Sequence, residues 1–124
     1  MRPQLARTVF ALLLGISLAM FLTPGDDVPQ GGPDDKVVHA LIFVVLAVAG
    51  RWAQAPWVAL GIGLAAYAAV TEILQATLPI NRDGNVPDFL ADLVGIGVGL
   101  LLSLIAMRLG ARARPPRSRS QSQR

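Results

Sequence analysis

The sequence predicts an all-α membrane protein of four transmembrane helices, with both termini on the inner side and a disordered basic tail. The first ground for this is composition. Hydrophobic residues make up 53% of the 124-residue chain, charged residues only 15%, and the mean hydropathy is +0.53. A small soluble domain leaves most residues partly wet and needs about a quarter of them charged. The second ground is segregation of charge. Of eleven basic residues, two (Arg2, Arg7) open the chain and six (Arg108, Arg112, Arg114, Arg117, Arg119, Arg124) lie in the last seventeen positions, while all eight acids fall between Asp26 and Asp92. The third is the set of long apolar runs between these charges. The same composition excludes intrinsic disorder over most of the length. The absence of cysteine excludes a disulfide-stapled scaffold and a thiolate metal site.

Each run predicts one helix of a transmembrane domain spanning residues 1–109. From Thr8 to Gly25 there are eighteen residues without a charge. At 1.5 Å per residue they reach about 27 Å, the thickness of the hydrocarbon layer, and set a first helix at 8–24. The basic start followed by this run resembles a secretory signal, with small residues at Ser17-Leu18-Ala19. However, Met20, Phe21 and Leu22 carry the apolar run past that cleavage position, which favours a retained helix. The second run, Val37 to Gly50, is only fourteen residues. Lys36 can extend its stem to the interface and the helix can continue toward Pro56, giving a short span at 37–54. Trp57, an interfacial anchor, opens a third at 57–79 that stays uncharged until Glu72. Pro87, tolerated in a first turn, opens a fourth at 87–107 with Asp88 and Asp92 in its first turns. Residues 110–124 are rich in Arg, Ser, Gln and Pro, a low-complexity tail expected to be disordered, cytoplasmic and drawn to anionic lipid head groups.

The distribution of Lys and Arg sets the orientation. With the N-terminus inside, Arg2, Arg7, Arg51 and the six tail arginines, nine in all, lie inside, against Lys36 and Arg82 outside. The expected location is a bacterial inner (plasma) membrane.

Ionisable groups in hydrocarbon cost roughly 2.5–3.5 kcal/mol each at a helix centre, so those present face protein or water and often serve function. Asp35 and His39, four apart, share a face of the second helix. Glu72 and Gln75, three apart, share one on the third, and Asp88 and Asp92 one on the fourth. All three pairs lie toward the outer ends, with Glu72 expected to be the deepest acid. Gly61, Ala65, Ala68 and Ala69 on the third helix, and Gly95 and Gly99 on the fourth, are small enough for close packing that carries these ends together. The expectation is a polar cleft open to the outer side, lined by His39, Glu72, Gln75, Arg82, Asp88 and Asp92.

In order along the chain these residues read Asp35-Lys36, His39, Phe43, Glu72-Ile73-Leu74-Gln75, Arg82, Asp88, Asp92 and Gly95. The set resembles the VanZ-like membrane proteins from the second helix to the fourth. It departs at Asp92, where many relatives carry Asn. The resemblance implies a link to tolerance of the glycopeptide teicoplanin, without fixing a biochemical activity.

Several roles follow for these side chains. His39, Glu72 and Asp88 are the candidate acid/base or site-ordering residues, and Lys36 and Arg82 suit an anionic phosphate or carboxylate, with Asp35, Gln75 and Asp92 beside them. Structural alternatives stand against each. His39 can bond only to its own helix neighbour, Glu72 can pair with Lys36 or Arg82, and Asp88 can cap its helix. Oxygen donors on Glu72, Asp88 and Asp92 with His39 are chemically able to hold a divalent ion, but they match no known ligand spacing, so no metal and no cofactor are expected. No activated nucleophile is evident. The expected function is binding of an amphipathic envelope component, either a lipid-linked cell-wall intermediate or a lipoglycopeptide, with membrane lipids as partners and no nucleic acid. The alternatives are an enzyme acting on such a lipid and a helical assembly factor or transporter subunit that oligomerises.

Overall fold

The computed structural model of the chain describes residues 2–29 and 31–116. Four helices account for most of them: α1 (Pro3–Phe21), α2 (Asp35–Trp52), α3 (Trp57–Thr77) and α4 (Val86–Arg112), with one short 3-10 turn, Gly25–Asp27, between α1 and α2. No strand occurs among the described residues. Three of the helices, α1, α3 and α4, are long and apolar enough to cross a membrane. The eighteen residues of α2 include three charges, Asp35, Lys36 and Arg51, whereas the longer α4 carries its charges toward its ends and keeps a strongly apolar window of that length.

The helix boundaries depart from those expected by up to three residues at most ends and by five at two of them, and residues 110–112 of the expected disordered tail belong to α4. α1 begins at Pro3, five residues early, because proline's fixed φ and missing N–H suit a first turn and Arg7 continues a helix readily. α4 runs to Arg112, five residues past the expected end, with Arg108 and Arg112 near the terminus where a cation complements the helix dipole. Residues 117–124 of the expected disordered tail lie outside the described residues.

Burial is inverted relative to a soluble protein. Val58, Ile62, Val94 and Leu12 are each more than 60% exposed, whereas His39, Gln75, Asp88 and Asp92 are at most 2% exposed. Water would reward the opposite arrangement; a hydrocarbon surround rewards this one, since lipid solvates the apolar exterior and the polar groups must be satisfied within the protein. The apolar core beneath them joins all four helices through Phe21, Phe43, Leu46, Ala47, Leu60, Leu64, Ala68 and Ile96.

The most extensive contact is α2 along α4, and glycine makes it possible. A Cβ on Gly95 would run into the backbone of Ala40, and one on Gly99 would lie 2.7 Å from the Val44 carbonyl oxygen. The packing assigned to Gly61 is different. Its Cβ would meet only Leu100 at 3.7 Å, an ordinary contact, because α3 stands further from α4 at that level. Gly95 and Gly99 are both buried against α2, so this stripe has no free face for a partner protein.

The α2–α3 connection is a Schellman turn, with the Ala55 N–H donating to Gly50 O at 3.0 Å and the Gln54 N–H to Arg51 O at 2.9 Å. Gln54 takes the left-handed position at φ 66°. Arg51 donates to the Ala55 carbonyl and lies 3.9 Å over the Trp57 ring, fixing the start of α3 against the end of α2. At the other end, the Gly25 N–H donates to Ile80 O at 2.8 Å and Asn81 Nδ2 to Asp26 Oδ1 at 2.9 Å, tying the α1–α2 and α3–α4 connections together.

Glycine-to-alanine substitutions should separate required from tolerant positions. Gly95→Ala and Gly99→Ala should each destabilise the protein by about 1–3 kcal/mol, since the obstructing atoms include backbone that cannot rotate away. Gly63→Ala and Gly97→Ala, with open space at the Cβ, should be neutral or slightly stabilising. Thermal unfolding of the detergent-solubilised variants measures both.

Candidate functional site

His39 lies at the centre of the polar cluster, held there by the α2–α4 approach at Gly95. Its Nδ1 is 2.8 Å from Asp92 Oδ1 and 3.5 Å from Glu72 Oε1, and its Nε2 is 3.6 Å from Asp35 Oδ2, one turn back on the same helix. A single imidazole thus meets carboxylates from three helices. Only the contact with Asp92 has hydrogen-bond length, so the proton on Nδ1 belongs to that pair and Nε2 has no hydrogen-bond partner. The Phe21 ring covers the imidazole, with centroids 4.8 Å apart, and Phe43 extends the stack toward the core at 5.9 Å from Phe21.

Glu72 contributes more to the architecture than its position in α3 reveals. Its Oε2 accepts the backbone N–H of Asn85 at 2.9 Å, and Asn85 is the N-cap of α4. The cap itself is reciprocal: Asn85 Oδ1 accepts from the Asp88 N–H at 2.9 Å, and Asn85 Nδ2 donates to Asp88 Oδ2 at 3.0 Å. A buried carboxylate on α3 therefore clamps the positive end of α4 while its other oxygen faces His39. Gly84 makes the clamp possible, because a Cβ there would strike the Glu72 backbone carbonyl.

Asp88 both accepts within this cap and meets Lys36 Nζ at 3.5 Å. Lys36 is thus the partner of Asp88, and Glu72 pairs with neither Lys36 nor Arg82. Arg82 forms no ion pair with any described residue. Asp92 is fully buried and Asp88 nearly so, both more enclosed than Glu72. Gln75, the remaining expected lining residue, donates from Nε2 to the Phe21 carbonyl at 2.9 Å and so closes the C-terminal end of α1, which lacks a continuing helical turn.

Two cavities open beside the cluster. A polar one of about 400 Å³ is lined by Lys36, Gln75, Asn81, Arg82, Asn85 and Asp88 among others, and a more apolar one of about 360 Å³ by Phe21, Pro33, Val38, His39 and Ile42 among others. Val28, Asp35 and Arg82 belong to both walls. A larger cavity of about 780 Å³ lies near the opposite end, among Val9, Val48, Trp57 and Leu102, and touches none of the cluster. Its size does not make it the site, since it is lined almost wholly by apolar side chains that carry no chemistry.

The structure brings together His39, Glu72, Asp88, Asp92, Asp35 and Lys36, with Gln75 and Arg82 lining the adjoining space. It adds Asn85, whose spacing to Asp88 is a capping signature, and Phe21, whose carbonyl and ring both serve the site; no polar signal marks Phe21. Ser17 and Tyr67, 2.7 Å apart between hydroxyl oxygens, bind α1 to α3 away from the cluster.

Because His39 and Asp92 are both enclosed, their interaction is measurable by a double-mutant cycle. His39→Ala and Asp92→Ala should couple by about 1–3 kcal/mol in unfolding free energy, whereas Asp92→Asn, whose side-chain carbonyl can accept the same N–H, should retain most of the stability. Comparison of the chain with protein-family models, curated proteins and solved structures gives no match.

Proposed function

We infer that the protein spans a bacterial inner membrane four times, with both termini inside, and that its outward-facing cleft binds the anionic head of an amphipathic envelope lipid or lipoglycopeptide. The observation that carries this reading is the joining of a polar cavity to an apolar one across shared walls at Val28, Asp35 and Arg82. An amphiphile has the same division. Lys36 and Arg82 suit a phosphate or carboxylate, and Phe21, Val38 and Ile42 suit the adjoining chain. Glu72, Gln75, Asp88 and Asp92 order the walls, and the VanZ-like resemblance connects such binding with glycopeptide tolerance.

A second reading, acid/base catalysis on the same lipid, is favoured by one observation. His39 has Nδ1 engaged by Asp92 and Nε2 free, and it lines the apolar cavity. An imidazole oriented by a carboxylate on one nitrogen is competent to move a proton at the other. Glu72 and Asp88 then support the acid/base pair.

Binding of the purified protein to phosphatidylcholine vesicles with and without polyprenyl phosphate tests the first reading. Arg82→Ala and Lys36→Ala should each weaken binding to the phosphate-bearing vesicles by about 10–100-fold, the worth of a charge-assisted contact, with membrane expression intact. Unaltered affinity in both variants discards the site. Turnover of the same lipid, lost in His39→Ala, would establish the second reading. Because the chain has no cysteine, Asp34→Cys and Ser118→Cys report topology directly: an impermeant thiol reagent added outside should label the first and not the second.

A further inference from the structure

His39 Nε2 is a buried atom with no hydrogen-bond partner, and Asp88 Oδ1 is buried with only Lys36 Nζ, at 3.5 Å, paired to it; the two residues are respectively 1% and 2% exposed, and both lie near the exposed carboxylate of Asp35. One ligand atom from each of Asp35, His39 and Asp88 lies within 4.8 Å of the other two. We propose that these three residues form an open site for a single divalent transition-metal ion, bound through His39 Nε2 and one oxygen each of Asp35 and Asp88. This departs from the expectation that the chain holds no metal, and it uses Asp35 where the sequence pointed to Glu72 and Asp92.

Geometry distinguishes this triad from the deeper one of His39, Glu72 and Asp92. With metal–ligand distances of about 2.0–2.2 Å, neighbouring ligands of a tetrahedral ion lie about 3.4 Å apart. The Nε2–Asp35 separation of 3.6 Å is close to that spacing, whereas the Nδ1–Asp92 distance of 2.8 Å is a hydrogen bond and too short for it. The Asp92 bond is itself part of the reasoning. Histidines that ligate metals ordinarily give their other ring N–H to a carboxylate, which fixes the tautomer and turns the free nitrogen toward the ion. His39 is already arranged in this way.

Charge and access agree with the geometry. Asp35, Glu72, Asp88 and Asp92 place four carboxylates around the cluster, against the two cations Lys36 and Arg82. One divalent ion cancels the excess. Lys36 lies 3.5 Å from Asp88, longer than a charge-assisted hydrogen bond, on a side chain about half exposed, and it can swing aside. Asp35 lines both cavities, Asp88 the polar one and His39 the apolar one, so an ion entering through either meets two of the three ligands. A nitrogen ligand beside carboxylates selects zinc or a neighbouring first-row ion over magnesium or calcium.

Calorimetric titration of the full-length, detergent-purified, chelator-treated protein with Zn²⁺ tests the proposal. Wild type should bind one ion per chain saturably, with Asp35→Asn and His39→Asn each weakening binding at least tenfold and Asp27→Asn retaining it. Since the chain has one histidine and no cysteine, Co²⁺ should give visible absorption of a low-coordinate ion that disappears in His39→Asn. Asp35 is exposed, so its variant keeps the test valid if the buried substitution fails to fold. No saturable binding by wild type up to about 1 mM Zn²⁺, or binding unchanged by Asp35→Asn, overturns the site. Vesicle binding by the chelator-treated protein reads the anion cleft separately, so failure of one leaves the other standing.

Discussion

A single imidazole shared among carboxylates of three helices is the constraint on which the rest of the structure depends. In a hydrocarbon surround, Asp35, Glu72, Asp88 and Asp92 cannot find partners in the solvent, and each isolated ion would carry a large desolvation cost. Their partners must come from within the protein, which means His39, Lys36 and the free N–H groups at the start of α4. The bundle therefore closes around its polar end. Apolar packing elsewhere follows, because lipid-facing side chains gain little by leaving lipid for protein.

That closure requires backbones to approach within reach of short side chains. Asp92 has a short side chain, and Gly95 and Gly99 lack the Cβ atoms that would strike Ala40 and Val44 and hold α2 and α4 apart. Close packing gains dispersion energy along the whole contact, and it also places Asp92 at hydrogen-bond distance from the ring. The two benefits are inseparable. Gly84 acts similarly on the α3–α4 connection, since the loop must press on the Glu72 backbone for Asn85 to reach the Glu72 carboxylate.

Much of this was legible from residue spacing. The i,i+3 and i,i+4 pairs placed their acids on single helix faces, and scarcity of polar residues in apolar runs implied that those faces meet. The helices and the convergence of His39, Glu72, Asp88 and Asp92 were readable for that reason. Partner choice was not. Glu72 could be matched to Lys36 or Arg82 by charge alone, and only the three-dimensional loop shows that a backbone N–H takes one of its oxygens while Lys36 goes to Asp88. The role of Gly61 was misread because helix small faces are visible in a sequence but the helix opposite them is not. Phe21 was invisible because its contribution is a main-chain carbonyl at a helix end, a property shared by every residue type.

The charge of Asp92 can be weighed on the same physical terms. An Asn at this place would accept an imidazole N–H through its carbonyl but add no charge. Asp accepts the same bond and raises the negative field at the ring, which favours a cation nearby. The extra carboxylate carries a desolvation cost that Asn avoids, and the bond to His39 alone returns only part of it. A fully buried Asp is therefore best balanced when positive charge resides in the cluster. Lys36 supplies some from the mouth of the cleft, but its contact is with Asp88, at a longer distance and partly in solvent. The deficit is deepest around His39, where an additional positive charge would meet Asp35, Asp88 and Asp92 together.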